Sequence, residues 1–167
     1  MKFKELMSFP ANEAGKIDID ELILNLPSTP IDVLEQFYQD HGRNEQFHEQ
    51  YAELDIHNLK WELVNLTFNE ISCATIFSSF QRWVDACYIK SRQVSTDLNW
   101  KLIGNTDQTV ENWKYNHTWN RSPIFLELDC KLHLVEGHSR LGCLKGLVSE
   151  GLIPSNRTHK IWLAKIV

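Results

Sequence analysis

The chain has no surplus of cationic side chains. Seventeen Lys and Arg stand against 22 Asp and Glu, a net charge of −5 with the histidines neutral. A protein that coats nucleic acid needs excess Lys and Arg to neutralise phosphates, so that class is disfavoured. An acidic balance fits instead a small anion held in one local basic pocket, or a basic protein partner. No apolar run approaches the length of a bilayer span, and Met1 to Pro10 carries lysines but no apolar core of a secretion signal, so no membrane partner is expected. The cytoplasm is the expected compartment. No C-x-x-C pair occurs; Cys73, Cys87, Cys130 and Cys143 are scattered among apolar neighbours, as free thiols are in a reducing compartment. There the four N-x-S/T matches, at Asn65, Asn116, Asn120 and Asn156, carry no glycosylation meaning. Repeats, low-complexity tracts and linkers are absent too. What is present is 167 residues at 43% hydrophobic, enough for one domain whose core needs no staples.

Along the chain, Thr29-Pro30 reads as a helix start, with Thr as N-cap and Pro in the first helical position. Val33, Leu34, Phe37 and Tyr38 then share one face, and Gly42 is the stop. A second helical stretch runs from Glu45 to Leu54. Leu59, Trp61 and Leu63 alternate with Lys60 and Glu62, the pattern of a half-buried strand over 59–66. The longest helical signal spans Cys73 to Val94, where Ile76, Phe80, Trp83 and Cys87, with Phe77, Val84 and Tyr88, form a core-packing stripe. Asp107 to Tyr115 reads as a short helix.

The last third is the most legible. Pro123 to Leu128 and Lys131 to Glu136 are strands, and Asp129-Cys130 is short enough to join them as an antiparallel hairpin. Gly137 breaks the second strand, and His138 to Glu150 reads as a helix with Leu141, Leu144, Leu147 and Val148 inward. Gly151 closes it, and Thr158 to Val167 is a final strand. A helix opening through Gly directly after a strand presents N–H groups and the positive end of its dipole, which attract anions. Arg140 adds a forked cationic donor, Ser139 a hydroxyl, and Gly137 lets a group approach the backbone.

"SPIFLEL", "KLHLVEGHSRLGCLKGLVSEGLI" and "HKIWLAKIV" together resemble the core of the ParB/sulfiredoxin superfamily, over Ser122 to Val167. The resemblance implies an α/β (α+β) single domain over 1–167. Residues 122–167 would be a small mixed sheet with a Gly-x-x-Arg strand-to-helix corner, and residues 1–121 a mainly helical, variable region. Sulfiredoxins carry a redox cysteine where this chain has His138, so that activity is not expected. ParB proteins carry a Gly-Glu-Arg-Arg box and a following DNA reader; this chain keeps Gly137 and Arg140 of the box and has no such reader before Val167. Glu136, Gly137, His138 and Arg140 match the acidic-Gly-His-x-Arg wording of ParB-like phosphotransferases. That likeness implies binding of a nucleotide, ATP or CTP with Mg²⁺, or a phosphate group, and phosphoryl transfer or nucleotide hydrolysis. Gly137, His138, Ser139 and Arg140 would hold phosphate, with His117 and Arg121 closing over it, and Glu136 and His138 would serve catalysis.

A structural reading stands beside this one: Arg140 pairs with Glu136 or caps carbonyls, and His138 is an N-terminal cap. Gly137 to Leu141 has the setting of a nucleophile elbow but Leu141 replaces its second glycine, so a serine hydrolase is not expected. Cys130, His133, His138 and Cys143 suggest zinc ligands, yet Cys143 shares a helix face with Leu144 and Leu147, so no metal site is expected. A second function class is a non-catalytic immunity protein that neutralises a toxin. Its acidic surface would steer onto a basic partner, and the six tryptophans are candidate anchors. Asp18 to Glu21 and Glu45 to Glu53 are its candidate contact faces. A DNA-handling accessory role is weakened by the acidic balance.

Overall fold

The computed structural model describes residues 1–166, so Val167, the expected end of the last strand, lies outside the described residues. The chain packs as two compact units, Met1–Glu62 with Ala164–Val167, and Leu63–Leu163.

The first unit is built on short helices. Asp18 caps α1 (Ile19–Asn25) by accepting the Asp20 N–H, and Asn44 caps α3 (Glu45–Tyr51) in the same way. Between them, α2 (Ile31–Val33) continues as a π-helical segment, Leu34–Gln39. The expected start of that helix shifts by one residue. Pro30 has ψ 140°, so it flanks the helix rather than opening it, and no side chain caps the end. The expected face is nonetheless the buried one, and Phe3 stacks on Phe37 with ring centroids 5.1 Å apart.

The sheet is one four-stranded mixed sheet in the order β1-β4-β2-β3, formed by β1 (Leu59–Thr67), β2 (Ile124–Leu128), β3 (Lys131–Glu136) and β4 (Thr158–Ile166). The fold is thus mixed α/β. The β2–β3 hairpin is antiparallel with Leu128 opposite Lys131, and both turn residues, Asp129 and Cys130, have positive φ (50° and 59°). That is the handedness a two-residue hairpin demands, met here without glycine. On β1 the expected alternation ends early: Leu63 is 48% exposed, whereas Val64 and Leu66 are half-buried against the core of the second unit.

Within the second unit, Thr67 and Glu70 form a capping box on α4 (Phe68–Ile71). The long helix α5 runs Ser78–Asp97, not from Cys73. The residues before it are drawn to β3, where Thr75 accepts from the Leu134 N–H (2.9 Å) and donates to the Leu132 carbonyl (2.8 Å). Two of the expected inward residues, Ile76 and Phe77, therefore precede the helix. Trp83 is 59% exposed, because the buried line on α5 runs through Val84, Ser91 and Val94. After α6 (Asp107–Glu111) and its π-helical continuation, Asn112–Asn116, the hairpin leads through Gly137 into α7 (His138–Ser149). Gly151 follows at φ +72°, the expected closing position.

Helix α7 is buried along most of its length, with Leu141, Leu144 and Leu147 fully buried. It meets α5 through two glycines four residues apart. A Cβ on Gly142 would stand 2.4 Å from the Val84 carbonyl oxygen, and one on Gly146 would stand 1.7 Å from Ser91 Oγ. No larger residue fits either place without moving a backbone.

Candidate functional site

At the end of β3, Gly137 turns the chain at φ +104° and delivers it into α7. The same glycine leaves room for Pro123, whose Cβ would lie 2.4 Å from an added side chain. Arg140, one turn into the helix, pairs with Glu136 (Nη2 to Oε1, 3.2 Å) and donates from Nη1 to the main-chain carbonyl of Arg121 at 2.9 Å. The Ser139 hydroxyl accepts the Trp83 indole N–H at 2.6 Å. His138 is buried, its ring centroid 4.3 Å from that of Phe80.

The structure therefore brings together Glu136, Gly137, His138, Ser139, Arg140 and the backbone of Arg121. Each of them already holds another part of the protein. The corner works as a clamp that fixes the loop entering β2, and the pairing of Arg140 with Glu136 and a carbonyl is the structural alternative posed by the sequence. Gly137, at the N-cap of α7, supplies no capping side chain.

His117 belongs to a different set of contacts. It ends the Asn112–Asn116 segment at φ 52°, and its Nδ1 is buried with no hydrogen-bond partner among the described residues. Its neighbours are tied elsewhere: the Asn116 carbonyl accepts from Arg157 Nη2 at 2.5 Å, and Thr118 Oγ1 bonds His159 Nδ1 at 2.9 Å. His159 is almost wholly buried, and burial, reinforced by the Arg157 charge, lowers its pKa to about 4. His133 is buried as well, bonded to Thr75 Oγ1 at 2.9 Å, and burial lowers its pKa in turn.

Sequence reasoning missed two features of this unit. One is a polar cleft of about 380 Å³ where Asn65, Asn112, Asn116 and Asn120 meet Thr158 and Lys160. Its residues come from three distant stretches and no spacing links them. The other is the close α5–α7 crossing, where a Cβ on Gly142 would stand 2.7 Å from the Cys87 Cβ, and for which the Gly142-x-x-x-Gly146 spacing was an available signal. Of the residues considered as zinc ligands, Cys130 is exposed in the hairpin turn, whereas His133 faces Thr75 and Phe77 and Cys143 is buried in the core of the unit. Among the described residues, no group of three or more His, Cys, Asp or Glu is placed to hold a metal ion.

The first unit carries a different kind of surface. Thirteen acidic side chains stand against six basic ones, a net −7, while the second unit holds nine acidic and eleven basic, a net +2. Of the two expected acidic faces, the one at Glu45–Glu53 is partly neutralised. Glu53 is paired with Lys2 and with Lys4 (2.6 Å), and these ammonium groups lower its carboxyl to about 2. Among the described residues, Asp18 to Glu21 has no cation paired to it in this way. On the same helix as Asp20 and Glu21, Leu24 is 75% exposed, and Ile31, which opens α2, is 51% exposed. A groove of about 440 Å³ runs along Leu24–Thr29 to Ile56, His57 and Leu59.

No helix among the described residues is long and apolar enough to cross a membrane. In comparisons with known proteins, no family model, no curated protein and no solved structure matches the chain.

Proposed function

We propose that this chain is a non-catalytic binding protein that captures and neutralises a basic protein partner through its first unit. The observation that carries this reading is the charge split. All of the net negative charge lies in one unit, which also exposes Ile31 and, in the lining of a groove, Leu24. Acidic surface raises the rate of encounter with a cationic partner, and apolar residues at the centre supply the contact that holds it. A clamp-like corner whose side chains are engaged with the protein itself adds weight, since such groups would have to be released before serving as a phosphate cradle.

The test is affinity capture with the full chain, followed by reconstitution with the purified partner. The partner should be basic and harmful when produced alone, and harmless with this chain. Its association rate should fall at least tenfold between low and physiological salt, and again on replacing Asp18, Asp20 and Glu21 by Asn or Gln. A captured partner that binds the charge-neutralised variant equally fast would overturn the proposal.

One observation favours a second reading, a nucleotide or phosphate ligand at the corner of a ParB/sulfiredoxin-like fold. Helix α7 begins without a capping side chain, in the unit whose net charge is positive. That reading expects ATP or CTP with Mg²⁺ to raise the melting temperature. Flat melting curves across a nucleotide panel dispose of it.

A further inference from the structure

The polar cleft beside β4 lies wholly within the second unit and holds about 380 Å³, in the lower part of the range of small-ligand sites. Thr158 and Lys160, two apart on β4, are both exposed and share one face of the strand, and Asn65 of the neighbouring β1 joins them. Four Asn-x-Ser/Thr triplets meet here. Asn65 comes from one, Asn116 with Thr118 from the second, Asn120 with Ser122 from the third, and Thr158 from the fourth.

The facing wall is held in place by the protein itself. His117 turns the chain at φ 52°, and the residues around it are tied to β4 and the residue before it. Arg157 Nη2 donates to the Asn116 carbonyl at 2.5 Å, the Trp119 indole N–H donates to the Lys160 carbonyl at 2.8 Å, and Thr118 Oγ1 bonds His159 Nδ1 at 2.9 Å. Asn116 Nδ2 donates to Asn112 Oδ1 at 3.1 Å, which leaves Asn116 Oδ1 as an acceptor. Among the described residues, the Asn65 and Asn120 carboxamides, the Thr158 hydroxyl and the Lys160 ammonium have no other partner. A ligand therefore meets a set of groups that is already ordered on one side and unspent.

The chemistry of that set selects the ligand. A carboxamide both donates and accepts, and so does a hydroxyl, whereas a phosphate only accepts and would leave the amide oxygens unpaired. Trp119 is 5% exposed and bares too little ring to stack a nucleobase. Among the described residues no Asp or Glu lines the cleft, and Lys160 is its one charge, which calls for a single negative group. We propose that this cleft binds an acidic sugar, with its hydroxyls on Asn65, Asn116 and Asn120 and its carboxylate on Lys160. The proposal does not rest on the capture of a basic partner by the first unit.

The full-length protein, isotope-labelled for NMR, is titrated with sodium glucuronate against a sodium chloride blank. The expected result is saturable shifts of the Asn65 and Asn120 side-chain amides, with glucose binding about two- to fivefold more weakly, the size of one exposed ion pair. Lys160→Gln should erase that preference while still binding glucose, and Asn120→Ala should weaken both sugars about three- to tenfold. The proposal is overturned if glucuronate moves neither amide, if Lys160→Gln keeps the full preference for the acid, or if ATP shifts the cleft amides and glucuronate does not.

Discussion

Arg140 grips Arg121 by its backbone: the guanidinium donates to the Arg121 carbonyl at 2.9 Å while pairing with Glu136 at 3.2 Å. With Pro123 seated over Gly137, this bracket holds the entry to β2 against the start of α7. Lys cannot reproduce two divergent donors from one planar group. Arg140→Lys should therefore cost about 1–2 kcal/mol, or roughly 3–6 °C in melting temperature for a chain of this size. Differential scanning calorimetry checks it, and an unchanged melting temperature would show that the bracket is not stabilising.

Gly→Ala inside a helix ordinarily stabilises by about 1 kcal/mol. At Gly146 the new methyl would have to displace Ser91 Oγ and the Tyr88 carbonyl, 1.7 and 2.6 Å away, and at Gly142 the Val84 carbonyl. Steric cost should win at both, for a net loss of roughly 2–4 kcal/mol each. Gly151→Ala meets open space but keeps φ at +72°, so its cost should stay near 1 kcal/mol. Chemical denaturation of the three variants orders them, and a stabilised Gly146→Ala would refute the tight crossing.

These two places mark how much could be read beforehand. The strand, hairpin, glycine corner and helix of 123–150 were legible because period-two and period-3.6 patterns there meet sharp turn residues. Arg140 with Glu136 was legible as a pair four residues apart, but its second partner, a carbonyl 19 residues back, left no trace in any pattern. The start of α5 was misplaced because Thr75 is captured by β3, a long-range bond that outweighs local helical preference. Trp83 was assigned inward because it falls on the helical apolar stripe with Phe80 and Cys87. The α5–α7 contact selects small residues, Gly142, Gly146 and Ser91, and so sends the indole outward.

Leu24 separates binding from folding. At 75% exposure it contributes little to the core of its unit, so Leu24→Ser should leave stability within about 0.5 kcal/mol. The same change should weaken capture of a basic partner, chiefly by speeding dissociation, whereas Asp20→Asn should slow association. Surface plasmon resonance on folded variants reads the two rates separately. If Leu24→Ser dissociates like wild type, the groove is not the contact.

Acid should destabilise the protein in two windows with different owners. His159 titrates near 4 when folded and near 6.5 when unfolded, because burial and then the Arg157 charge disfavour its cation. Between those values the unfolded chain binds more protons, so stability falls as pH drops through that window and levels off below it. The full effect is about 3 kcal/mol. His133, lowered by burial alone, adds to the loss in the same direction. Glu53, Glu70 and Glu150 have depressed carboxyls, so their contribution is present above about 4.5 and is lost only as pH falls through their lower folded values. Melting temperatures measured every half unit from pH 7 to 3 should therefore show a first decline between about 6.5 and 4. His159→Asn offers Thr118 a hydrogen-bonding partner that does not titrate, and it should flatten that first decline while leaving the lower one. A first decline that survives His159→Asn and is instead removed by His133→Asn would reassign the acid sensitivity to the Thr75 pairing on β3.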